Sequence, residues 1–273
     1  MRIVLTGAAG RLGRETWRQL LAAGHEVLAS DVVSATDVPG FLRVEDLCAA
    51  AVVDDAWAGC DAVVHLANHA TSYGLDGRMV FTDNVTMNFH ALERARRGGV
   101  GRFIFASSVQ AMRSERFSQH DAPSRLSALP LSGASPATPT NPYALSKALG
   151  EEQLRYFVRC HGLTGIAFRF PALFTAPRPR GITVVDRDVP VDEAFAWSTY
   201  ADAARAIQQA LVRPPSGYRC FLPASARPWL DWPIERIRER FFPQVPIVGD
   251  APLRSFIDLR GLADELGWRP QDD

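Results

Sequence analysis

The chain has 273 residues, 47% hydrophobic and 22% charged, enough to bury a large core and ordinary for a globular protein. Lysine plus arginine and aspartate plus glutamate both number 30, so the formal net charge is zero, and neither a nucleic acid nor an anionic membrane is the expected partner. Four scattered cysteines (Cys48, Cys60, Cys160, Cys220) without a CxxC pair argue against a disulfide or zinc framework.

No apolar run approaches the roughly 18 residues of a membrane span. The start, MRIVLTGAAG, runs from one arginine straight into glycines, unlike a signal peptide, so a reducing, cytoplasmic setting is expected.

RIVLT at 2–6 reads as a strand, followed by a helix from about Arg11 to Ala23. HEVLAS at 25–30 is a second strand ending at Asp31, and FLRV at 41–44 a third. Residues 48–58 show a helical pattern, and DAVVHLA at 61–67 is a fourth strand. An amphipathic segment over 77–97 is closed by Gly98 and Gly99, and RFIFASS at 102–108 is a fifth strand. A helix from Pro142 to His161 stops at Gly162, and TGIAFRF at 164–170 is a sixth strand. Such alternation predicts an α/β fold, a doubly wound parallel sheet with helices on both faces.

That core is expected over 1–170, with 171–273 forming a small mixed substrate-binding lobe that returns one or two elements to it. In the lobe, FTAPRPRG at 174–181 reads as a turn region. Helices are expected over 200–212, 230–242 and, short and amphipathic, 257–268, with a strand at 218–223. The Ser- and Pro-rich interval 109–140 breaks the pattern, and its length suggests either a flap over a site or a surface excursion.

TGAAGRLG at 6–13 places Gly7, Gly10 and Gly13 between the first strand and the first helix. Gly7 can make the tight turn, Gly10 lets backbone approach a pyrophosphate, and Gly13 lets the helix pack closely on the sheet. The helix start, through Arg11 and Leu12, offers unpaired N–H groups to phosphates. Asp31, 18 residues after Gly13, can accept hydrogen bonds from an adenosine ribose, favouring NAD over NADP, although Arg11 and Arg14 leave a phosphate open. Asp46 and Leu47 follow the third strand, within reach of an adenine ring. HLAN at 65–68 puts Leu66 and Ala67 at the crevice where cofactors lie. His65 and His69 have metal-ligand spacing only on a helix, so no metal is expected here.

Tyr143 and Lys147, in NPYALSK, share one face of their helix at i,i+4. Free tyrosine is a poor base at neutral pH, but a nearby ammonium favours its phenolate. Tyr143 could then take a proton from a substrate hydroxyl while Lys147 tunes it and holds ribose hydroxyls. Ser108, at the end of the fifth strand, could bond the substrate oxygen.

Together TGAAGRLG, Asp31, HLAN, FASS at 105–108 and YALSK at 143–147 resemble an extended short-chain dehydrogenase/reductase (SDR) of the NAD-dependent epimerase/dehydratase family, over about residues 1–175. The resemblance implies a Rossmann core, bound NAD, and a Ser/Thr–Tyr–Lys catalytic group falling on Ser108, Tyr143 and Lys147. It also implies a sugar-like small-molecule substrate and a homodimer through a helical interface. Asn84 matches the asparagine that begins a long helix near the active site in many members; its plain alternative is a helix cap.

Dehydratases of the family carry an Asp-Glu pair after the catalytic threonine, whereas Val109 and Gln110 follow Ser108 here. Ala111-Met112-Arg113 replaces the V-Y-G common in epimerases. FASS and a short C-terminal region are similar to the uronate-dehydrogenase-like members, which oxidise free sugar acids. Arg169, Arg178 and Arg180 lie where a substrate anion could be held, or else face solvent. An NAD-dependent oxidoreductase is the leading expectation. An epimerase with retained cofactor, or a non-catalytic NAD-sensing scaffold, are the alternatives.

Overall fold

The computed structural model describes residues 1–35, 42–49, 55–71, 74–113, 124, 126–175, 191–249, 253 and 255–271. Strands β1 (Arg2–Thr6), β2 (Glu26–Asp31), β3 (Leu42–Val44), β4 (Ala62–His65), β5 (Arg102–Ser108), β6 (Thr164–Phe170) and β9 (Tyr218–Phe221) form one sheet. Its order is β3-β2-β1-β4-β5-β6-β9, and every pairing is parallel. The chain winds outward from β1 in one direction and then, from β4, in the other. A crevice therefore opens between the carboxyl ends of β1 and β4.

Alternating side chains explain the two covered faces. Ile3, Leu5, Ile104, Ile166 and Phe168 join one buried cluster, with Trp17 and Leu20 of α1 (Arg11–Ala22) and Ile207 and Leu211 of α4 (Tyr200–Val212). Val4, Val63, Phe103, Phe105 and Ala167 point the other way. They meet Leu92 of α2 (Gly77–Arg97) and Leu154 and Phe157 of α3 (Pro142–His161). A parallel sheet buried on both sides needs such near-continuous apolar strands.

A third cluster lies beyond the sheet. Phe195, Phe241, Phe242 and Phe256 pack there with Leu126, Leu129 and Leu131. It is bordered by the short parallel pair β7 (Ala172–Phe174) and β8 (Trp197–Thr199) and by α5 (Ile234–Phe241). In the interval 109–140, residues 126–140 run as a strap along the third cluster, and 114–123 and 125 lie outside the described residues. Leu129 and Leu131 bridge Ile247 and Ile257, and Arg169 Nη1 donates to Ser135 O at 2.6 Å.

Over 48–58 the expected helix is not formed in the described residues, which are turns; 50–54 lie outside them. Asp46 Oδ1 accepts from Cys48 N at 2.8 Å, an Asx turn that competes with a helix start. Toward the C-terminus the expected short helix spans residues 260–266, its last part π-helical at Leu262–Leu266 and ended by Gly267 at φ 69°. Fully buried Trp268 follows, its Nε1 donating to Asp202 O of α4 at 3.1 Å. Among the described residues no helix is long and apolar enough to cross a membrane.

Candidate active site

A cleft of about 1130 Å³ runs across the carboxyl ends of the strands. At one end lies the glycine loop. Gly7 has φ +71°, and a Cβ there would sit 2.7 Å from Ala67 N; a Cβ on Gly13 would collide with the Gly7 carbonyl. Both positions therefore exclude side chains, so α1 begins tight against β1 with its N–H groups directed at the cleft. Gly10, Arg11 and Leu12 line the same end, with the Arg11 guanidinium 5.3 Å from the centre of the Tyr200 ring.

Asp31 lines the cleft at the tip of β2, where its Oδ2 accepts from Ala9 N at 2.9 Å. The carboxylate thus ties β2 to the glycine loop. Beside it Ser30 Oγ is buried with no protein partner among the described residues. Asp46, Leu47, Leu66 and Ala67 line this half too. Glycines that leave backbone bare, a helix N-terminus, a carboxylate and an orphaned hydroxyl fit the pyrophosphate and ribose of a dinucleotide.

At mid-cleft α3 delivers Tyr143 and Lys147. Asn141 Oδ1 caps the helix by accepting from Ala144 N at 2.8 Å, Pro142 fills its first turn, and Gly162 ends it at φ 69°. Lys147 is 3% exposed. Its Nζ donates to Asn68 Oδ1 and Ala106 O, each at 2.8 Å, and lies 5.7 Å from the centre of the Tyr143 ring. Burial pushes the Lys147 ammonium down to about 7. Ser108 also lines the cleft, its Oγ accepting from Gln110 N at 3.2 Å.

Asn84 is placed differently from the expectation. It lies two turns inside α2, whose cap is Asp76, and it does not line the cleft. Fully buried, it accepts from His69 N at 2.8 Å and donates to Ser146 Oγ at 3.0 Å, bracing α3 from behind. Arg169 does not reach the cleft either. Its guanidinium makes a two-point bond to Glu151, 2.8 Å at each contact, and Glu151 also accepts from Ser107 Oγ at 2.7 Å. Arg178 and Arg180 lie outside the described residues. His65 is a neutral core residue: burial pushes it down to about 3, and it bonds Thr6 Oγ1 at 2.8 Å and Asn88 Oδ1 at 3.1 Å. Among the described residues no group of His, Cys, Asp and Glu could hold a metal.

Sequence reasoning missed Asn68, although HLAN contains it, and Glu193 and Trp229 of the far wall. Asn68 could have been found from its position one residue past the strand-end pair already singled out. Glu193 and Trp229 come from a region without period.

Fold and cleft define a dinucleotide-binding α/β enzyme. Residues 3–188 match the NAD dependent epimerase/dehydratase family, and the chain belongs to it. It is accordingly an NAD-dependent enzyme of the SDR type. Uronate dehydrogenase of Pseudomonas putida is 26% identical over 238 residues, covering 85% of this chain and 79% of that protein. L-arabinose 1-dehydrogenase (NAD(P)(+)) of Haloferax volcanii is 27% identical over 216 residues, 77% of this chain and 82% of that one. A short-chain dehydrogenase/reductase superfamily protein from Agrobacterium tumefaciens, solved with bound NAD, superposes with a TM-score of 0.72 at 22% identity, over 99% of this chain and 93% of that one.

Proposed function

We propose that the protein is a sugar dehydrogenase that oxidises a hydroxyl of a small, free sugar-like substrate, with Tyr143 as acid/base. The observation that supports this most is the seating of Lys147: fixed by Asn68 and the Ala106 carbonyl, it stands beside Tyr143 in the cleft that Ser108 also lines. NAD, when bound, accepts the hydride. Lys147 favours the Tyr143 phenolate, whose Oη takes the hydroxyl proton and becomes the neutral phenol, and Ser108 Oγ orients the substrate oxygen. Gly7, Gly10, Leu12 and Gly13 hold the pyrophosphate, and Asp31 the adenosine ribose. Leu47, Leu66 and Ala67 line the adenosine and nicotinamide stretches. Relatives named for a sugar acid and for a neutral sugar both support oxidation of a free sugar.

Net oxidation requires a cofactor that comes and goes. The desalted protein is expected to lose its absorbance from bound nicotinamide and to need added NAD for turnover. An enzyme that keeps its cofactor through desalting and isomerises sugars without added NAD is an epimerase instead. Asp31→Ala is expected to lower kcat/KM for NAD about tenfold relative to NADP, since the carboxylate prefers a ribose hydroxyl and repels a phosphate. An unchanged ratio of steady-state rates would remove Asp31 from the ribose site.

The free thiols Cys48, Cys60, Cys160 and Cys220 support a cytoplasmic location. A homodimer is supported by exposed apolar residues in stripes on two adjacent helices, Met79 and Phe89 on α2 and Leu145, Leu149 and Tyr156 on α3. Sedimentation at the monomer mass would contradict it.

A further inference from the structure

The half of the cleft beyond Ser108 carries an acid that the reaction leaves unused. Glu193 is 5% exposed and lines the cleft, and its Oε1 accepts from Gln110 Nε2 at 2.9 Å. Gln110 is in the turn whose backbone N–H bonds Ser108 Oγ, so this acid–amide pair adjoins the residue that orients the substrate oxygen. The neighbouring acid, Asp192, is turned elsewhere: it accepts from Ser124 Oγ at 2.6 Å and lies 3.4 Å from Arg113 Nε.

The backbone holding Glu193 is strained. Ala194 and Phe195 follow it with φ of 52° and 55°, a left-handed conformation costly for residues with a Cβ. Their surroundings enforce it. Ala194 N donates to Val191 O at 2.9 Å, Ala196 N to Glu193 O at 3.0 Å and Trp229 N to Phe195 O at 2.7 Å. The Phe195 ring packs on Phe241 and Phe242 at 5.0 and 5.9 Å. The last of those backbone bonds also ties Trp229, another residue of the cleft wall, to the segment that carries the acid.

We infer that Glu193 and Gln110 are specificity-determining residues that read vicinal hydroxyls of an uncharged sugar and turn away the corresponding sugar acid. This rests on the reading of the site as a sugar dehydrogenase. A carboxylate and an amide together accept from and donate to neighbouring hydroxyls, and an indole covers the apolar face of a pyranose or furanose ring. A substrate carboxylate would meet Glu193 in a poorly hydrated wall, where like charges repel strongly. Among the described residues the lysine and arginine side chains lining the cleft are Arg11, at the glycine loop, and Lys147; His69 is paired with Asp83 at 2.9 Å, and Arg169 is held by Glu151.

The test compares neutral aldoses with the uronic acids of the same configuration. Turnover is followed by NADH absorbance, and binding by calorimetry on the protein saturated with NADH. The wild type is expected to favour the neutral sugar about tenfold or more in both, and Glu193→Gln to shrink that preference about tenfold with an unchanged thermal midpoint. Gln110→Ala is expected to weaken the neutral sugar while leaving the uronate as poor as before. A neutral sugar that binds with this preference but is not oxidised upholds the role of Glu193 and overturns the dehydrogenase reading. A uronate bound as well as its neutral counterpart, binding of neither, or a preference unmoved by Glu193→Gln overturns the assignment.

Discussion

Glu151→Ala is expected to cost about 3–5 kcal/mol of stability, because it strands the buried guanidinium of Arg169 without its counter-charge. The pair lies fully inside the protein, 0% exposed at Glu151 and 1% at Arg169. Both carboxylate oxygens are engaged at 2.8 Å, and Ser107 Oγ adds a third donor at 2.7 Å. The same network holds the strap through Ser135 O and lies directly beneath the strand end carrying Ser108. Urea unfolding should show a lower midpoint at unchanged slope. The double variant Glu151→Leu/Arg169→Met should recover most of the loss, since removing both charges leaves no unpaired ion. A single variant within about 1 kcal/mol of the wild type would show that water already screens this pair.

Tyr143→Phe is expected to lower turnover by about 10²–10⁴-fold, the usual contribution of a positioned acid/base. Cofactor affinity should stay nearly intact. The ring remains, and the features that seat α3, namely the Asn141 cap, Pro142 and the Asn84–Ser146 bond, do not involve the hydroxyl. Lys147→Met should behave differently and lose turnover and cofactor affinity together, because Lys147 serves both the phenol and the ribose. Equilibrium binding of NADH alongside kcat separates the two variants.

Much of the architecture is legible because each signal is local. Ile3 and Leu5 alternate with Val4, and Ile166 and Phe168 with Ala167, which sends successive residues to opposite faces of a doubly covered sheet. The glycines of the first turn and the i,i+4 pair on α3 likewise need only their own neighbours to be recognised, and the structure brings them to one cleft. What was not legible depends on distant partners. Leu129 and Leu131, set among Ser and Pro, are strap residues only because Ile247 and Ile257 wait more than a hundred residues later. Arg169 on β6 read as an anion anchor because its true partner, Glu151, is on the inner face of a different element. Asn84 differs for a related reason. The family resemblance puts it at the start of a helix near the active site, but the helix starts earlier, at Gly77, and turns the amide toward Ser146.

If the Tyr143–Lys147 cleft moves a hydride from a sugar hydroxyl to NAD while Tyr143 moves the proton, NADH absorbance will show it directly when the purified wild type and Tyr143→Phe are each given NAD and a panel of free sugars. NADH is expected to accumulate in step with an oxidised sugar in the wild type and to fall at least about a hundredfold in the variant. Sugar isomerisation without NADH accumulation, or a variant as fast as the wild type, would contradict this mechanism.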